Sequence, residues 1–302
     1  MNVTKRGTGE HVMGEKLGMI GLGKMGLALA REMMADGHTV CAYDIDPTRM
    51  QMLANAGGTP VDNARAVAAA SDITFSILLK PKHIEENLFG PDGIDKAGKD
   101  GLIHVEMSTM PPDYCKGLCE KLAGSGIDML DAPISGSHPQ VDDRSITFMV
   151  GGSDAAFSRV GPILEKLSAD ATHTGPSGSG AVMKVVTNLF VNASTALLAE
   201  VIITGERAGL SHDVLAHCLP KGSVQGKMLD MSIGPLTQRD FTARGAVEIF
   251  VKDMGIAIDL AKDNGIDLAV VPAARAMFER AAEAGWAKDD ATRVIEVYEG
   301  KA

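Results

Sequence analysis

The sequence predicts an α/β domain followed by an all-helical domain. Up to residue 177, short runs rich in β-branched residues alternate with amphipathic segments, a pattern typical of a doubly wound parallel sheet with helices on both faces. From residue 182 to residue 203 the chain contains neither glycine nor proline, so this stretch suits one long helix. We therefore divide the chain into a mobile extension at residues 1–16, the α/β domain at residues 17–177 and the helical domain at residues 178–302.

Composition and charge exclude several classes of protein. The 302 residues are enough for two domains, each with its own core. The net charge is −10 and no basic patch is present, which argues against nucleic acid or a membrane surface as a partner. No apolar run predicts a signal peptide or a membrane span. The four cysteines form no metal-spaced set, so we expect no metal and a reduced, cytoplasmic protein.

A glycine-rich turn lies in the first part of the α/β domain. A strand is predicted at residues 17–21, a helix at residues 25–35 and a second strand at residues 38–43. The pattern G-x-G-x-x-G joins the first strand to the helix. Its first glycine permits the tight turn, its second lets the backbone approach a pyrophosphate, and its third lets helix and strand pack closely. These elements predict a Rossmann-type domain that binds a dinucleotide through the helix N-terminus. The candidate residues are Gly21, Leu22, Gly23, Lys24, Met25 and Gly26.

Asp44, at the end of the second predicted strand, indicates which dinucleotide binds. A carboxylate at this place accepts hydrogen bonds from the ribose hydroxyls of the adenosine half and repels a 2′-phosphate. Asp46 adds a second negative charge nearby, and Arg49 is the only cation close in sequence. We therefore predict NAD rather than NADP as the cofactor.

Later strand ends supply further candidates, because loops at this edge of a doubly wound sheet face the cofactor. Leu79 ends the strand predicted at residues 72–79 and Lys80 comes next, while Ser108 and Thr109 follow the strand predicted at residues 102–106. The two hydroxyls are placed to contact nicotinamide or substrate, although a helix-capping pair is the alternative. Further helices are predicted at residues 61–70, 83–89 and 155–167, and further strands at residues 127–131, 146–150 and 171–174.

A turn of small residues follows the strand predicted at residues 127–131. Ser135 lies there between small and apolar residues, next to Gly136 and Ser137. Such a turn offers a hydroxyl and backbone N–H groups to an open space, which suits a carboxylate.

The start of the helical domain combines a lysine and an asparagine. Lys184 and Asn188 are four residues apart, so their side chains share one helical face among apolar neighbours. A polar edge on a long helix would explain them equally well. Lys252 and Asp253 interrupt another apolar helix, either as a surface ion pair or as part of a site. Helices are predicted at residues 181–208, 211–219, 228–233, 247–264, 272–284 and 289–298.

Taken together, these motifs resemble those of the β-hydroxyacid dehydrogenases, the family of 3-hydroxyisobutyrate dehydrogenase and tartronate semialdehyde reductase. The resemblance runs from about residue 17 to the C-terminus. It rests on the turn at residues 21–26, on Met-Ser-Thr at 107–109, on Asp-Ala-Pro-Ile-Ser-Gly at 131–136, on Gly-x-Gly-x-x-x-Lys-x-x-x-Asn at 178–188, and on Lys252 with Asp253.

The resemblance implies roles for particular residues. The family's catalytic lysine corresponds to Lys184 and its helix asparagine to Asn188. Its substrate-binding turn corresponds to Ser135 and Gly136, and the lysine near its nicotinamide to Lys252. It further implies reversible hydride transfer between NAD(H) and a small β-hydroxyacid or semialdehyde, with Lys184 as general acid and base, in a homodimer or homotetramer.

The chain departs from the family pattern at three places. Ser137 replaces a frequent glycine, residues 144–146 read Arg-Ser-Ile, and Thr187 stands where many members have asparagine. The first two leave the substrate open, with His138, Gln140 and Arg144 as candidate selectivity residues or as parts of an exposed loop. A reductase of succinic or sulfonated semialdehyde, and a non-catalytic NAD-binding protein, are the alternative functions. An oxidative decarboxylase acting on a sugar phosphate would need a longer helical domain.

Overall fold

The structure is a computed structural model that describes residues 14–242 and 244–302. The chain divides into two compact units, the first ending at Ala181 and the second beginning at Val182. The extension predicted at residues 1–16 lies outside the described residues as far as residue 13. Beyond it, the Glu15 carboxylate forms an ion pair with Arg159 at 3.0 Å, and the first strand begins at Lys16, one residue before the predicted domain start.

The described part of the first unit contains a nine-stranded sheet. Its strands are β1 Lys16–Ile20, β2 Thr39–Tyr43, β3 Thr59–Pro60, β4 Ile73–Ser76, β5 Ile103–Glu106, β6 Asp128–Asp131, β7 Ile134–Ser135, β8 Thr147–Gly151 and β9 Asp170–Gly175. They follow the order β3-β2-β1-β4-β5-β6-β8-β7, and β9 pairs with β8. Strands β1 to β6 are parallel, whereas β8 runs antiparallel to β6 and β7. The predicted α/β class with a Rossmann-type sheet is therefore confirmed.

Helices cover both faces of this sheet. The face that carries Phe75 and Val105 packs in one core with Leu29 and Met33, and the opposite face packs in a second core with Val67 and Leu118. Each core is built from alternate residues of the same strands, as a sheet buried on both sides requires. The helices are α1 Lys24–Ala35, α2 Pro47–Asn55, α3 Ala64–Ala70, α4 Pro81–Phe89, α5 Pro112–Ala123, α6 Pro139–Asp142 and α7 Asp154–Leu167.

Helix α2 is absent from the sequence prediction. Asp46 caps it by accepting a hydrogen bond from the Thr48 N–H at 2.9 Å, and Pro47 occupies its first turn. This Asp-Pro-Thr signal precedes only weak amphipathic periodicity, because Leu53 is the buried residue of the helix.

Two predicted elements are longer than the observed ones. The helix predicted at residues 61–70 begins at Ala64, because Asn63 caps it and the Val61 N–H still pairs with the Ala42 carbonyl at 3.0 Å. The strand predicted at residues 72–79 ends at Ser76, and two residues later the Leu78 N–H donates to a side chain instead of to a strand.

The second unit is helical, as predicted. Its core includes Ile202, Leu236, Met254 and Phe278. The helix predicted at residues 228–233 continues to Gln238 through an internal proline. The final predicted helix is a 3₁₀ turn, Ala291–Val294, followed by a short α-helix. The α-helices are α8 Ser179–Arg207, α9 His212–Cys218, α10 Lys227–Gln238, α11 Val247–Asp263, α12 Val270–Ala281 and α13 Ile295–Tyr298, of which α8 begins in the first unit.

By length and composition alone, α8 could cross a membrane, since it has 29 residues and is mostly apolar. A core helix of a soluble protein meets the same criterion. Lys184, Asn188 and Asn192 form a polar row on this helix at a spacing of four residues, and the last two are buried within the protein.

Candidate functional site

The glycines of the turn at residues 21–26 are needed for different reasons. Gly21 has a φ of +90°, and a Cβ atom on it would lie 2.6 Å from the Ile77 carbonyl oxygen. A Cβ on Gly26 would lie 2.0 Å from the Gly21 carbonyl oxygen, so α1 packs directly on the turn. A Cβ on Gly23 would meet nothing nearer than the Arg49 guanidinium at 4.0 Å. Gly23 therefore leaves free space next to the turn.

The N-terminus of α1 opens at this turn. Gly23 is its N-cap residue, and no side chain caps the helix there. Leu22 is buried and Met25 packs against the core, whereas Lys24 is exposed. Leu22 and Met25 can thus contribute to a ligand site through their backbone only.

Asp44 is held against the turn by backbone donors. Its carboxylate accepts hydrogen bonds from the Leu22 N–H at 2.6 Å and from the Asp46 N–H at 2.9 Å. The Arg49 guanidinium lies 3.4 Å from the same carboxylate, and only 6% of the Asp44 side chain is exposed. Asp44 therefore fixes the conformation of the turn in addition to the predicted ribose contact.

The ends of β4 and β5 lie beside each other, because these strands are neighbours in the sheet. Leu79 follows β4 with 86% of its surface exposed, and Lys80 is exposed next to it. After β5, Ser108 is buried, its hydroxyl accepts the Leu78 N–H at 2.8 Å, and Thr109 is half-buried. Helix α5 has Pro111 as its N-cap residue, so neither hydroxyl is in the capping position that was the alternative interpretation.

The turn at residues 135–137 has a defined conformation. Gly136 has a φ of +135°, and a Cβ on it would lie 2.8 Å from the Ile146 side chain. The Ser137 N–H and hydroxyl both donate to the Gln140 side-chain carbonyl, at 2.9 and 3.3 Å. Ser135 is half-buried at the end of β7. Gln140, a candidate selectivity residue, therefore braces the turn with its carbonyl oxygen.

The other two candidate selectivity residues have different surroundings. The Arg144 guanidinium forms ion pairs with Glu32 at 2.8 Å and Asp36 at 3.0 Å, so it ties its loop to α1. These pairs favour a structural role for Arg144. His138 is exposed.

Asp131, the last residue of β6, lies beside the N-terminus of α8. Its two carboxylate oxygens accept the Gly178 N–H at 2.7 Å and the Ala181 N–H at 2.8 Å, while burial raises the pKa of this carboxyl. Ligand atoms of Cys115, Cys119 and Asp131 lie within 4.8 Å of one another. The cysteines show no metal-spaced pattern in the sequence, but β6 and α5 bring the Asp131 carboxylate to two of them. Because the carboxylate is already occupied by the helix N–H groups, we assign no metal to this cluster.

In the second unit, three predicted or noted residues form one cluster. The Asn188 amide donates to the Asp253 carboxylate at 2.7 Å, and the Lys252 ammonium lies 3.2 Å from the other oxygen of that carboxylate. Only 7% of the Asp253 side chain is exposed, so the Lys252 and Asp253 pair is more than a surface ion pair. Sequence reasoning noted Asp253 without assigning it to the site.

Lys184 is half-buried on the same face of α8 as Asn188. Burial lowers the pKa of its ammonium below the usual 10.5; the negative charge of Asp253 opposes this shift, and the positive charge of Lys252 adds to it. A lysine whose pKa is lowered is suited to exchange a proton near neutral pH.

Comparison with known proteins places the chain in a family. A model described as the NAD binding domain of 6-phosphogluconate dehydrogenase matches residues 16–175. A model described as NAD-binding of NADP-dependent 3-hydroxyisobutyrate dehydrogenase matches residues 178–298. The chain is 32% identical over 285 residues to 2-(hydroxymethyl)glutarate dehydrogenase of Eubacterium barkeri, covering 94% of this chain and 95% of that protein.

The chain belongs to the β-hydroxyacid dehydrogenase family. This confirms the resemblance inferred from the motifs. The chain is also 30% identical to L-threonate dehydrogenase of Cupriavidus necator, covering 95% of this chain and 97% of that protein. A crystal structure of 3-hydroxyisobutyrate dehydrogenase from Salmonella typhimurium superimposes with a TM-score of 0.85 at 28% identity, covering 94% of this chain and 99% of that one.

The residues of this family member fit a nicotinamide dinucleotide. Gly23 leaves the space that a Cβ would fill, directly at the uncapped N-terminus of α1, where N–H groups and the helix dipole favour phosphate. Asp44 directly follows the neighbouring strand β2, and Leu79 presents an exposed apolar surface after β4. The turn, Asp44 and these strand ends would hold the cofactor.

Proposed function

We propose that this chain is an NAD-dependent dehydrogenase that oxidises a small β-hydroxyacid to a semialdehyde and catalyses the reverse reduction. The observation that carries the proposal is the environment of Lys184. Burial lowers its pKa, and the adjacent Asn188 is fixed by a hydrogen bond to the buried Asp253 carboxylate. A polar edge of a structural helix needs neither feature. The family assignment and the dinucleotide turn support the same reaction class.

The reaction requires a proton to move when hydride moves. A nicotinamide dinucleotide held by the turn and Asp44 would supply the acceptor for the hydride of the hydroxyl-bearing carbon. The neutral Lys184 amine takes the hydroxyl proton in this direction, and the Lys184 ammonium returns it to the alkoxide oxygen in the reduction. Because the pKa of Lys184 is lowered, both protonation states are accessible nearer to neutral pH than for an ordinary lysine. Asn188 orients the amine or the substrate hydroxyl, and Asp253 holds the amide of Asn188.

We assign the substrate carboxylate to the turn at residues 135–137. Ser135 supplies a hydroxyl there, and Gly136, which has a positive φ, packs so close to Ile146 that a larger residue would not fit. The Ser137 N–H is already used by Gln140, so the Ser135 hydroxyl and the Gly136 backbone are the donors we propose. The relatives named 2-(hydroxymethyl)glutarate and L-threonate dehydrogenase support a small hydroxyacid as the substrate.

We further propose NAD over NADP, because the Asp44 carboxylate, which is hydrogen-bonded to the turn, would accept hydrogen bonds from the ribose and repel a 2′-phosphate. Arg49, the cation beside it, is paired with Asp44 at 3.4 Å and with Asp46 at 3.4 Å, which reduces its availability to a phosphate.

We propose a homodimer or homotetramer in the cytoplasm. Exposed apolar side chains recur on one face of α8, and 66% of Phe190 and 58% of Leu197 are accessible in the single chain. All four cysteines are free thiols, as the cytoplasm favours. Phe190→Asp should shift the protein to a smaller species in light scattering after size exclusion, whereas Ile266→Asp, at an exposed position outside α8, should not. An unchanged mass for Phe190→Asp would refute an interface on this face.

A substrate screen tests the proposed activity. Formation or loss of NADH is followed by absorbance with 3-hydroxyisobutyrate, threonate, 2-(hydroxymethyl)glutarate, 4-hydroxybutyrate and sulfonated hydroxyacids, and with tartronate and succinic semialdehydes. Lys184→Met should reduce kcat with the best substrate by about 10²–10⁴, the range for loss of a general acid or base. The matched control Lys262→Met removes an exposed lysine of α11 and should leave turnover unchanged.

Two results would contradict the proposal. Turnover of Lys184→Met within about tenfold of the wild type would remove the acid and base role from Lys184. Tight binding of NADH without turnover of any small hydroxyacid or semialdehyde would favour the non-catalytic alternative.

A further inference from the structure

A row of buried polar side chains crosses β4 and β5 beneath the proposed cofactor loops. Thr74 and Ser76 on β4 are register partners of His104 and Glu106 on β5. Since alternate residues of a strand face the same side, all four side chains lie on one face of the sheet. None of them is more than 1% exposed. The proposed reaction uses none of the four.

These side chains form one continuous hydrogen-bonded chain. The Thr74 hydroxyl lies 3.0 Å from His104 Nδ1, and the Ser76 hydroxyl oxygen lies 3.0 Å from His104 Nε2. The Ser76 hydroxyl donates its proton to the Glu106 carboxylate at 2.5 Å. Ser76 must therefore accept from His104 Nε2–H, which leaves Nδ1 of a neutral imidazole to accept from Thr74. Every polar atom of the row is satisfied when the chain runs from Thr74 to Glu106.

The second oxygen of Glu106 leads out of the sheet toward the loops. It accepts the Ser108 N–H at 2.8 Å, and the Ser108 hydroxyl in turn accepts the Leu78 N–H at 2.8 Å. Glu106 and Ser108 thus join the end of β5 to the end of β4. Leu79, Lys80 and Thr109, which we assign to the cofactor, are the next residues of these two loops.

Burying a carboxylate at this position is unfavourable in free energy. Glu106 is completely buried, and its register partner on β6 is the buried carboxylate of Asp131. The His104 Nε2 lies 3.8 Å from the Glu106 carboxylate, but it is already hydrogen-bonded to the Ser76 hydroxyl. An apolar residue would avoid the desolvation of a buried charge. What only an acceptor can supply is the link to the Ser108 N–H and the Ser76 hydroxyl.

We propose that Glu106 is a positioning residue for the dinucleotide. It fixes the paired ends of β4 and β5 in the conformation that receives the cofactor, and it does so without touching the cofactor. The proposal rests on the proposed function as far as NAD(H) binding is concerned, and on nothing else in that function.

The test measures NADH binding by titration calorimetry on the full chain, together with the melting temperature of each variant. Glu106→Met removes both acceptors at similar volume. Glu106→Gln keeps one carbonyl oxygen for the Ser108 N–H, and its amide can donate to Ser76 if the hydrogen bonds of the row reverse direction. Thr74→Val breaks the same buried row at its far end, at His104, and leaves the loop link intact.

We expect Glu106→Met to raise the Kd for NADH about tenfold, which corresponds to about 1.4 kcal/mol. Glu106→Gln should stay within about threefold of the wild type, and Thr74→Val within about twofold even if its melting temperature falls as far as that of Glu106→Met. With a substrate, the KM for NADH should rise in Glu106→Met more than kcat falls. Should Glu106→Met fail to fold, Ser76→Ala, which removes the donor to the other Glu106 oxygen, should raise the Kd at least about threefold.

A Kd within about twofold of the wild type for Glu106→Met, or for Ser76→Ala in its place, would overturn the positioning role. Equal weakening by Thr74→Val would also overturn it, because binding would then follow stability alone. Wild-type protein that binds neither NADH nor NADPH would refute the proposed function and this role together. Wild-type protein that binds and turns over, beside a Glu106→Met variant that binds equally well, would refute only the role of Glu106.

Discussion

Alanine at Gly26 should lower the stability of the protein, whereas alanine at Gly23 should weaken NADH binding without lowering stability. At Gly26 the new Cβ would lie 2.0 Å from the Gly21 carbonyl oxygen, whereas real Cβ contacts are essentially never shorter than 3.0 Å. Helix α1 or the turn must therefore move by about 1 Å, and overpacking of this kind costs about 1–3 kcal/mol. For a chain of this size we expect the melting temperature to fall by about 2–12 °C.

At Gly23 the new Cβ meets only the Arg49 guanidinium at 4.0 Å, and the φ of −60° is normal for alanine. Gly23→Ala should therefore leave the melting temperature unchanged or raise it, because alanine restricts the unfolded chain by about 0.4–1 kcal/mol. The methyl group nevertheless fills the space that we assign to the pyrophosphate, so the Kd for NADH should rise at least about tenfold.

Differential scanning fluorimetry without ligand and titration calorimetry with NADH separate the two effects. If Gly23→Ala binds NADH within about twofold of the wild type, the pyrophosphate does not approach the turn at Gly23. If Gly26→Ala keeps the wild-type melting temperature, the close packing of α1 on the turn does not limit stability.

Three further predictions concern charge. Because burial lowers the pKa of Lys184, unfolding takes up a proton at any pH between the folded pKa and 10.5, so the stability of the wild type rises with pH in that range. Lys184→Met should therefore stabilise the protein less and less as the pH approaches 10.5, which urea unfolding at a series of pH values would measure. The base-dependent limb of kcat/KM for alcohol oxidation should move to lower pH in Asp253→Asn and to higher pH in Lys252→Met, because the Asp253 charge raises the pKa of Lys184 and the Lys252 charge lowers it. If both variants shift the limb in the same direction, Lys184 is not the titrating group. Asp44→Ser should raise the ratio of kcat/KM for NADP over NAD at least about tenfold, and an unchanged ratio would contradict the role of Asp44 in cofactor choice. The same variant should also raise the KM for NAD, because the Leu22 N–H loses its acceptor at 2.6 Å.

The fold was predictable because its signals are local and repeated. Glycine spacing, strand ends and the change to long helical periods located the two-part architecture and nearly all the main elements. Helix α2 was not predicted, because a single buried leucine gives no amphipathic periodicity, although Asp46 and Pro47 mark the start of the helix. The strand before Leu79 was predicted to be too long, because the apolar residues of the sequence continue beyond Ser76. At Leu78 the backbone N–H already donates to the Ser108 side chain instead of to a neighbouring strand.

The positions of the candidate residues were predictable where they depend on spacing along one element. Lys184 and Asn188 share a helical face by their separation of four residues. The contact of Asn188 with Asp253 joins residues 65 positions apart in the chain, and no local pattern signals it. Glu106 was equally hidden: in the sequence it ends an apolar strand, and only the register of β4 and β5 places Ser76 beside it.

The attachment of α8 to Asp131 bears on where the chain can be divided. Sequence reasoning ended the α/β domain at residue 177, but the N–H groups that satisfy the buried Asp131 carboxylate belong to Gly178 and Ala181. A fragment cut at residue 177 would carry a buried carboxylate without these donors, whereas a fragment continued beyond Ala181 would retain them. The first turn of α8 is thus part of the α/β domain as a folding unit, although most of the helix serves the other domain. In a chimera that joins the α/β domain of one relative to the helical domain of another, Asp131 would therefore keep the N–H donors of its own α8 only if the junction lies after Ala181.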